Sequence, residues 1–185
     1  MSRRWQFLLI AALLPLCWLS MMAVHELGHA AALWATGGTV ARVVLNPLTI
    51  SRTDPGLDPS PTVVVWAGPL VGVMLPLLAA AGARVLHLPG AHLLRFFAGF
   101  CLIANGCYLG VGAIDPVGDA RELLRLGTPA WQLGVFGLAT VPFGLYLWHG
   151  QGKHFARENA RPGMAVALLG ILLVIVVVEM IFSPT

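Results

Sequence analysis

Long apolar runs, each near the length of a membrane crossing, alternate with short polar stretches along this chain. The first run occupies residues 5–34. Pro15 inside it predicts a kink, and Gly37-Gly38 after it predicts a helix stop. Residues 39–52 break the pattern. Thr39-Val40-Ala41-Arg42-Val43-Val44-Leu45 is rich in β-branched residues, Asn46-Pro47 signals a turn, and Leu48-Thr49-Ile50-Ser51 reads as a returning strand, so a short hairpin or extended segment is expected. Residues 53–61 carry Pro55, Gly56, Pro59 and Pro61 and read as a loop. A second run covers 62–83, and Gly68-Pro69, Gly72 and Pro76 predict that it is bent or broken. A third run covers 92–113 and a fourth 130–148. The segment 114–128 between them is the most polar of the chain. After a polar loop at 149–161, the fifth run, 163–182, is dominated by Leu, Ile and Val. No internal repeat is visible.

The pattern predicts an all-α polytopic membrane protein of about five transmembrane helices, with a short β-hairpin or extended segment after the first. At about 20 residues per crossing, a chain of 185 residues has no length left for a separate extramembrane domain. Residues 1–185 are expected to form one membrane-embedded unit. Its core lies at about 5–128, and two further helices follow at about 130–148 and 163–182.

Composition supports this reading. Hydrophobic residues make up 58% of the chain and charged residues only 10%, against about 25% charged in a soluble domain. That leaves too little polar surface for a water-facing skin. The first run is too long for a signal-peptide core and has no small-residue cleavage pattern after it. The net charge of +3 comes from singly scattered bases, so no nucleic-acid partner is expected; basic excess in short loops is common beside a bilayer. Ten of the eleven bases are arginine and only Lys153 is lysine, a bias that fits a GC-rich bacterial gene and a bacterial cytoplasmic membrane. Cys17, Cys101 and Cys107 have no CxxC spacing, so neither a disulfide framework nor a cysteine metal site is expected.

Within so apolar a chain, charge needs a reason. His25-Glu26-Leu27-Gly28-His29 lies inside the first run and reads H-E-x-x-H. On a helix, residues four apart share one face, so both imidazoles can reach one ion. Zinc favours neutral imidazole nitrogen, and a catalytic zinc keeps a position open for water. Glu26, next to the first ligand, is placed to accept a proton from that water. Two histidines and a glutamate on a membrane helix are costly unless they face a partner or a wet cavity. A third ligand must come from elsewhere, and Asp119 and Asp115 in the polar segment are the candidates. Asp54 and Asp58 read as solvated turn residues, and His87, His92, His149 and His154 as interfacial anchors. Glu179 reads as an acid reaching back to the interface, Glu122 with Arg121 as a surface pair, and Asn105 as a hydrogen bonder in helix packing, with contact to substrate or oxyanion as its alternative.

These residues carry a resemblance. His25-Glu26-Leu27-Gly28-His29 in a membrane helix, followed by Gly37-Gly38 and a β-like stretch, resembles the site-2 protease family of intramembrane zinc metalloproteases. Ala67-Gly68-Pro69 is similar to that family's Ala-Gly-Pro motif. Pro116-Val117-Gly118-Asp119 is similar to its Pro-x-Leu-Asp-Gly segment, whose aspartate is the third zinc ligand. The resemblance covers roughly residues 20–125. It implies one zinc ion held by His25, His29 and Asp119, with Glu26 as general base, and a transmembrane protein or peptide as substrate. It also implies that the 39–52 strand pairs with an unwound substrate segment. Ala120-Arg121 stands where the family has Gly-Gly after its aspartate, and Asn105 lies fourteen residues before Asp119 rather than about eight. Asp115 therefore stays open as the alternative ligand. A non-cutting relative that binds metal or a client helix, or a small metal transporter, are the rival readings; repeat symmetry expected of a transporter is missing.

Orientation is open on the sequence. Arg3, Arg4, Arg84, Arg95, Lys153, Arg157 and Arg161 fall on one side and Arg42, Arg52, Arg121 and Arg125 on the other. The positive-inside rule then favours a cytoplasmic N-terminus. The resemblance implies the opposite, with zinc toward the cytoplasmic side.

Overall fold

The computed structural model describes residues 3–48, 50–155 and 162–182. Thr49 and the loop residues Arg157, Glu158 and Arg161 lie outside them. The elements are α1 (Arg3–Ala35), β1 (Val40–Val44), β2 (Arg52–Pro55), α2 (Pro61–Val85), α3 (Ala91–Gly112), α4 (Gly118–Arg125), α5 (Ala130–Trp148) and α6 (Pro162–Phe182), with a 3-10 turn at Gln151–His154. Five helices, all but the short α4, are long and apolar enough to cross a membrane. The fold is the expected helical one, with a small antiparallel sheet after the first helix.

Local chemistry fixes the boundaries near the site. Helix α1 ends where Gly37 takes a left-handed φ of +79°. The Gly38 N–H then reaches back to the Leu33 carbonyl at 2.7 Å and the Gly37 N–H to that of Trp34 at 3.3 Å. This is the double bond pattern of a glycine-terminated helix. Helix α2 starts on Pro61, whose missing N–H costs nothing in a first turn. Pro69 and Pro76 both lie inside α2, which continues through them; the second span, expected to be bent or broken, is one unbroken helix.

The hairpin corrects the sequence reading. The return strand is Arg52–Pro55; Leu48, Ile50 and Ser51 lie before it, and part of the expected loop is strand. Val43 pairs with Thr53 and Val44 with Arg52, with a bulge between Val40 and Arg42. Asp54 is accordingly a strand residue, bonded by Arg52 Nε at 3.0 Å and Arg42 Nε at 3.4 Å. Asp58 is a turn residue as expected, accepting the Ser60 N–H at 3.1 Å.

Helix α1 packs against α2, α3 and α6. Leu9, Ala12, Leu13 and Cys17 bury against Ala165 and Leu168 of α6 and are flanked by Phe96, Phe97 and Phe100 of α3. Helix α5 backs α3 through glycines: a Cβ on Gly137 would sit 2.8 Å from the Gly106 carbonyl and 2.9 Å from Gly110 Cα. Such close backbone approach is how membrane helices gain packing where water offers no driving force. Between α2 and α1 the same holds, since a Cβ on Gly28 would meet the Ala67 carbonyl at 2.5 Å. These contacts set α1, α2 and α3 side by side and so bring three distant sequence segments to one point.

Candidate metal centre

His25, Glu26 and His29 are all buried on α1. At 1.5 Å per residue, His29 lies about 9 Å inside the helix end at Ala35. Their ligand-type atoms fall within 4.8 Å of one another. Asp119, in the first turn of α4, comes to the same point. Its Oδ2 is 2.8 Å from His25 Nε2 and 3.4 Å from His29 Nε2. Asp115 does not; it is exposed at the rim of the cleft.

The opposite nitrogen of each imidazole is anchored. His25 Nδ1 lies 2.7 Å from Asn105 Oδ1, and His29 Nδ1 lies 2.9 Å from the Val64 carbonyl. Both partners accept, so each Nδ1 carries the proton and each Nε2 of a neutral ring presents a lone pair. Asn105 is oriented in turn, because its Nδ2 donates to the Cys101 carbonyl at 2.9 Å. Two lone pairs and a carboxylate oxygen therefore converge with no proton donor among them. That arrangement needs either an extra proton or a cation, and a metal ion satisfies all three at once. Burial opposes charge on Asp119; a facing imidazole outweighs it and holds the carboxyl below the usual carboxylate range only with a proton on its Nε2, and with both rings neutral that task falls to a cation.

Glycines shape the cradle. A Cβ on Gly68 would stand 2.8 Å from His25 Nε2 and closer still to His29 Nε2. A side chain there would fill the space where the two ligand nitrogens meet. A Cβ on Gly72, one turn on, would meet Asn105 Oδ1 at 2.9 Å, so Gly72 admits the amide that orients His25. The donor set, the groups that orient it and the cradle together could hold a metal ion, and two imidazoles with a carboxylate are ligand types that zinc accepts.

Glu26 stays beside the trio, its carboxylate within 4.8 Å of the histidine ligand atoms, and also reaches the hairpin. Thr53 Oγ1 of β2 donates to Glu26 Oε2 at 2.8 Å. Tyr108, one turn past Asn105 on α3, accepts the Asp119 N–H on its hydroxyl at 2.7 Å. Its ring packs edge-on to His25, with centroids 6.0 Å apart. All of these border one cleft of about 1130 Å³, walled by α1, β2, the start of α2, the end of α3 and the 115–122 segment.

Several side chains depart from the sequence reading. Asn105 bonds a candidate ligand rather than only packing helices. Thr53 and Tyr108 carry no signal of their own in the sequence. Glu122 pairs with Arg125, whose Nε donates to it at 2.8 Å, because both lie on α4 three residues apart; Arg121 instead donates to the Pro116 carbonyl. Glu179 is 5% exposed, and its Oε2 has no partner among the described residues. His92 stacks on His154 at 4.8 Å. No family model matches the chain, and searches of curated proteins and of solved structures return no match either.

Proposed function

We propose that this chain is an intramembrane zinc metalloprotease of the site-2 protease type, hydrolysing a peptide bond within or near a transmembrane segment of a protein in the bacterial cytoplasmic membrane. One observation carries the reading: His25 Nε2, His29 Nε2 and Asp119 Oδ2 converge at 2.8 and 3.4 Å while both Nδ1 atoms are tied to acceptors. When bound there, zinc supplies Lewis acidity that activates water and polarises a carbonyl.

The chain's own groups do the rest. Glu26 accepts the proton of a water held beside it and passes it to the departing amide nitrogen. The Thr53 hydroxyl fixes the Glu26 carboxylate on the cleft side of α1. Among the described residues strand β2 pairs with β1 alone, and its residues line the cleft. A substrate helix that unwinds locally regains its lost backbone hydrogen bonds on that strand. The apolar wall formed by Trp18, Met21, Met22, Val64 and Val111 accepts the side chains of such a segment.

The test is Glu26→Gln. The variant keeps the size and the metal ligands but loses the base. A protease retains its zinc and loses cleavage of a quenched-fluorescence transmembrane peptide. A transporter or client-binding scaffold retains transport or binding, and its wild type shows no cleavage above the variant.

A further inference from the structure

Hydrolysis of a peptide bond develops negative charge on the carbonyl oxygen, and enzymes place a hydrogen-bond donor where that charge appears. Among the described residues, the polar side chains bonded to the candidate ligands and the base are Thr53, Asn105 and Tyr108. The Thr53 hydroxyl is taken up by Glu26. Asn105 is held at both ends, by His25 at its oxygen and by the Cys101 carbonyl at its nitrogen; one amide N–H is left over, but the residue is only 1% exposed. Tyr108 differs. Its oxygen accepts the Asp119 N–H, and a phenol that accepts still has one proton to give. Among the described residues no group accepts that proton.

The position of this hydroxyl is tightly set. The ring stands edge-on to His25 at a centroid distance of 6.0 Å. The hydroxyl occupies the space that a side chain on residue 118 would take, and Gly118 leaves it free at a left-handed φ of +48°. Gly118 therefore serves two needs: a backbone turn that few other residues adopt, and room for the phenol beside the Asp119 backbone. Tyr108 borders the cleft next to the His25–Asp119 pair.

We propose that Tyr108 is a catalytic residue whose phenolic O–H donates to the carbonyl oxygen of the scissile peptide. The bond strengthens as that oxygen becomes anionic, and the proton stays on the phenol. This inference rests on the protease reading. The rival role is purely positional, with Tyr108 holding the Asp119 backbone so that the carboxylate meets the histidines.

The experiment compares wild type, Tyr108→Phe and Glu26→Gln as full chains in lipid nanodiscs. It measures zinc content, thermal stability, kcat and KM on a quenched-fluorescence transmembrane peptide, and affinity for a phosphinic peptide that mimics the tetrahedral geometry. The expected result for Tyr108→Phe is full zinc content, unchanged KM and a fall in kcat of about 10²–10³-fold. Phosphinic-peptide affinity falls with it. Wild-type kcat in Tyr108→Phe overturns the proposal. So does a loss of zinc with rate restored by added zinc, which marks a positional role. A variant that loses thermal stability is replaced by Tyr108→His, which keeps a ring and an N–H donor; if it fails to recover rate above the phenylalanine variant at full zinc content, the proposal also fails. If wild type cleaves no faster than Glu26→Gln, the protease reading itself fails and takes this inference with it.

Discussion

Gly68→Ala isolates the cradle from the ligands. The added methyl would stand 2.8 Å from His25 Nε2, where ordinary contact begins at 3.4 Å, and nearer still to His29 Nε2. One or both imidazoles must move by about 0.6 Å or more, against a tolerance of about 0.2 Å for zinc–ligand distances. Zinc affinity should therefore fall by more than the roughly 10–100-fold typical of second-shell changes. The fold should not suffer in proportion. Alanine gains about 1 kcal/mol of helix propensity over glycine, and overpacking costs about 1–3 kcal/mol, so metal-free stability should change by no more than about 2 kcal/mol. Gly82→Ala on the same helix is the control, because its Cβ would meet nothing within 4 Å. The assay is zinc affinity by competition with a chelating dye in detergent, beside thermal denaturation of the metal-free forms. Wild-type zinc affinity in Gly68→Ala would refute the placement of both Nε2 atoms against this glycine.

Three further outcomes follow from the same geometry. Asn105→Ala releases His25 Nδ1 and should weaken zinc binding by about 10–100-fold, read by the same chelator competition. Thr53→Val keeps the β-branched shape but removes the donor to Glu26; kcat should fall with zinc content unchanged, and Thr53→Ser should restore it. Gly137→Ala forces α5 away from the Gly106 carbonyl and should destabilise the fold by about 1–3 kcal/mol, seen as a lower melting temperature with zinc stoichiometry unaltered.

The helices were legible because burial in lipid leaves one readable mark, a long run without charge. The second run, read as 62–83, is Pro61–Val85. H-E-x-x-H was legible for a related reason: its four-residue spacing is local, and charge on a membrane helix stands out. The return strand was not, because Arg52–Pro55 contains Asp and Pro, which local preference keeps out of strands. Its place is fixed by pairing with β1 and by the Thr53 bond to Glu26, 27 residues away. The link from Asn105 to His25 spans 80 residues. No periodicity encodes it; it exists because Gly72 lets α2 stand aside from the amide. Pro69 and Pro76 do not break α2, which runs on as one helix packed between α1 and α3. Asp119 shared the polar segment with Asp115 as a candidate ligand, and only the motif resemblance favoured it; its meeting with both histidines depends on α4 packing against α2 and α3.

The central claim is a zinc ion held by His25, His29 and Asp119. Its most direct test is zinc stoichiometry of protein purified without chelator, for wild type, Asp119→Ala and Asp115→Ala. The account predicts one zinc per chain in wild type and in Asp115→Ala, and loss of zinc in Asp119→Ala. Zinc retained in Asp119→Ala, or absent from wild type, would contradict it.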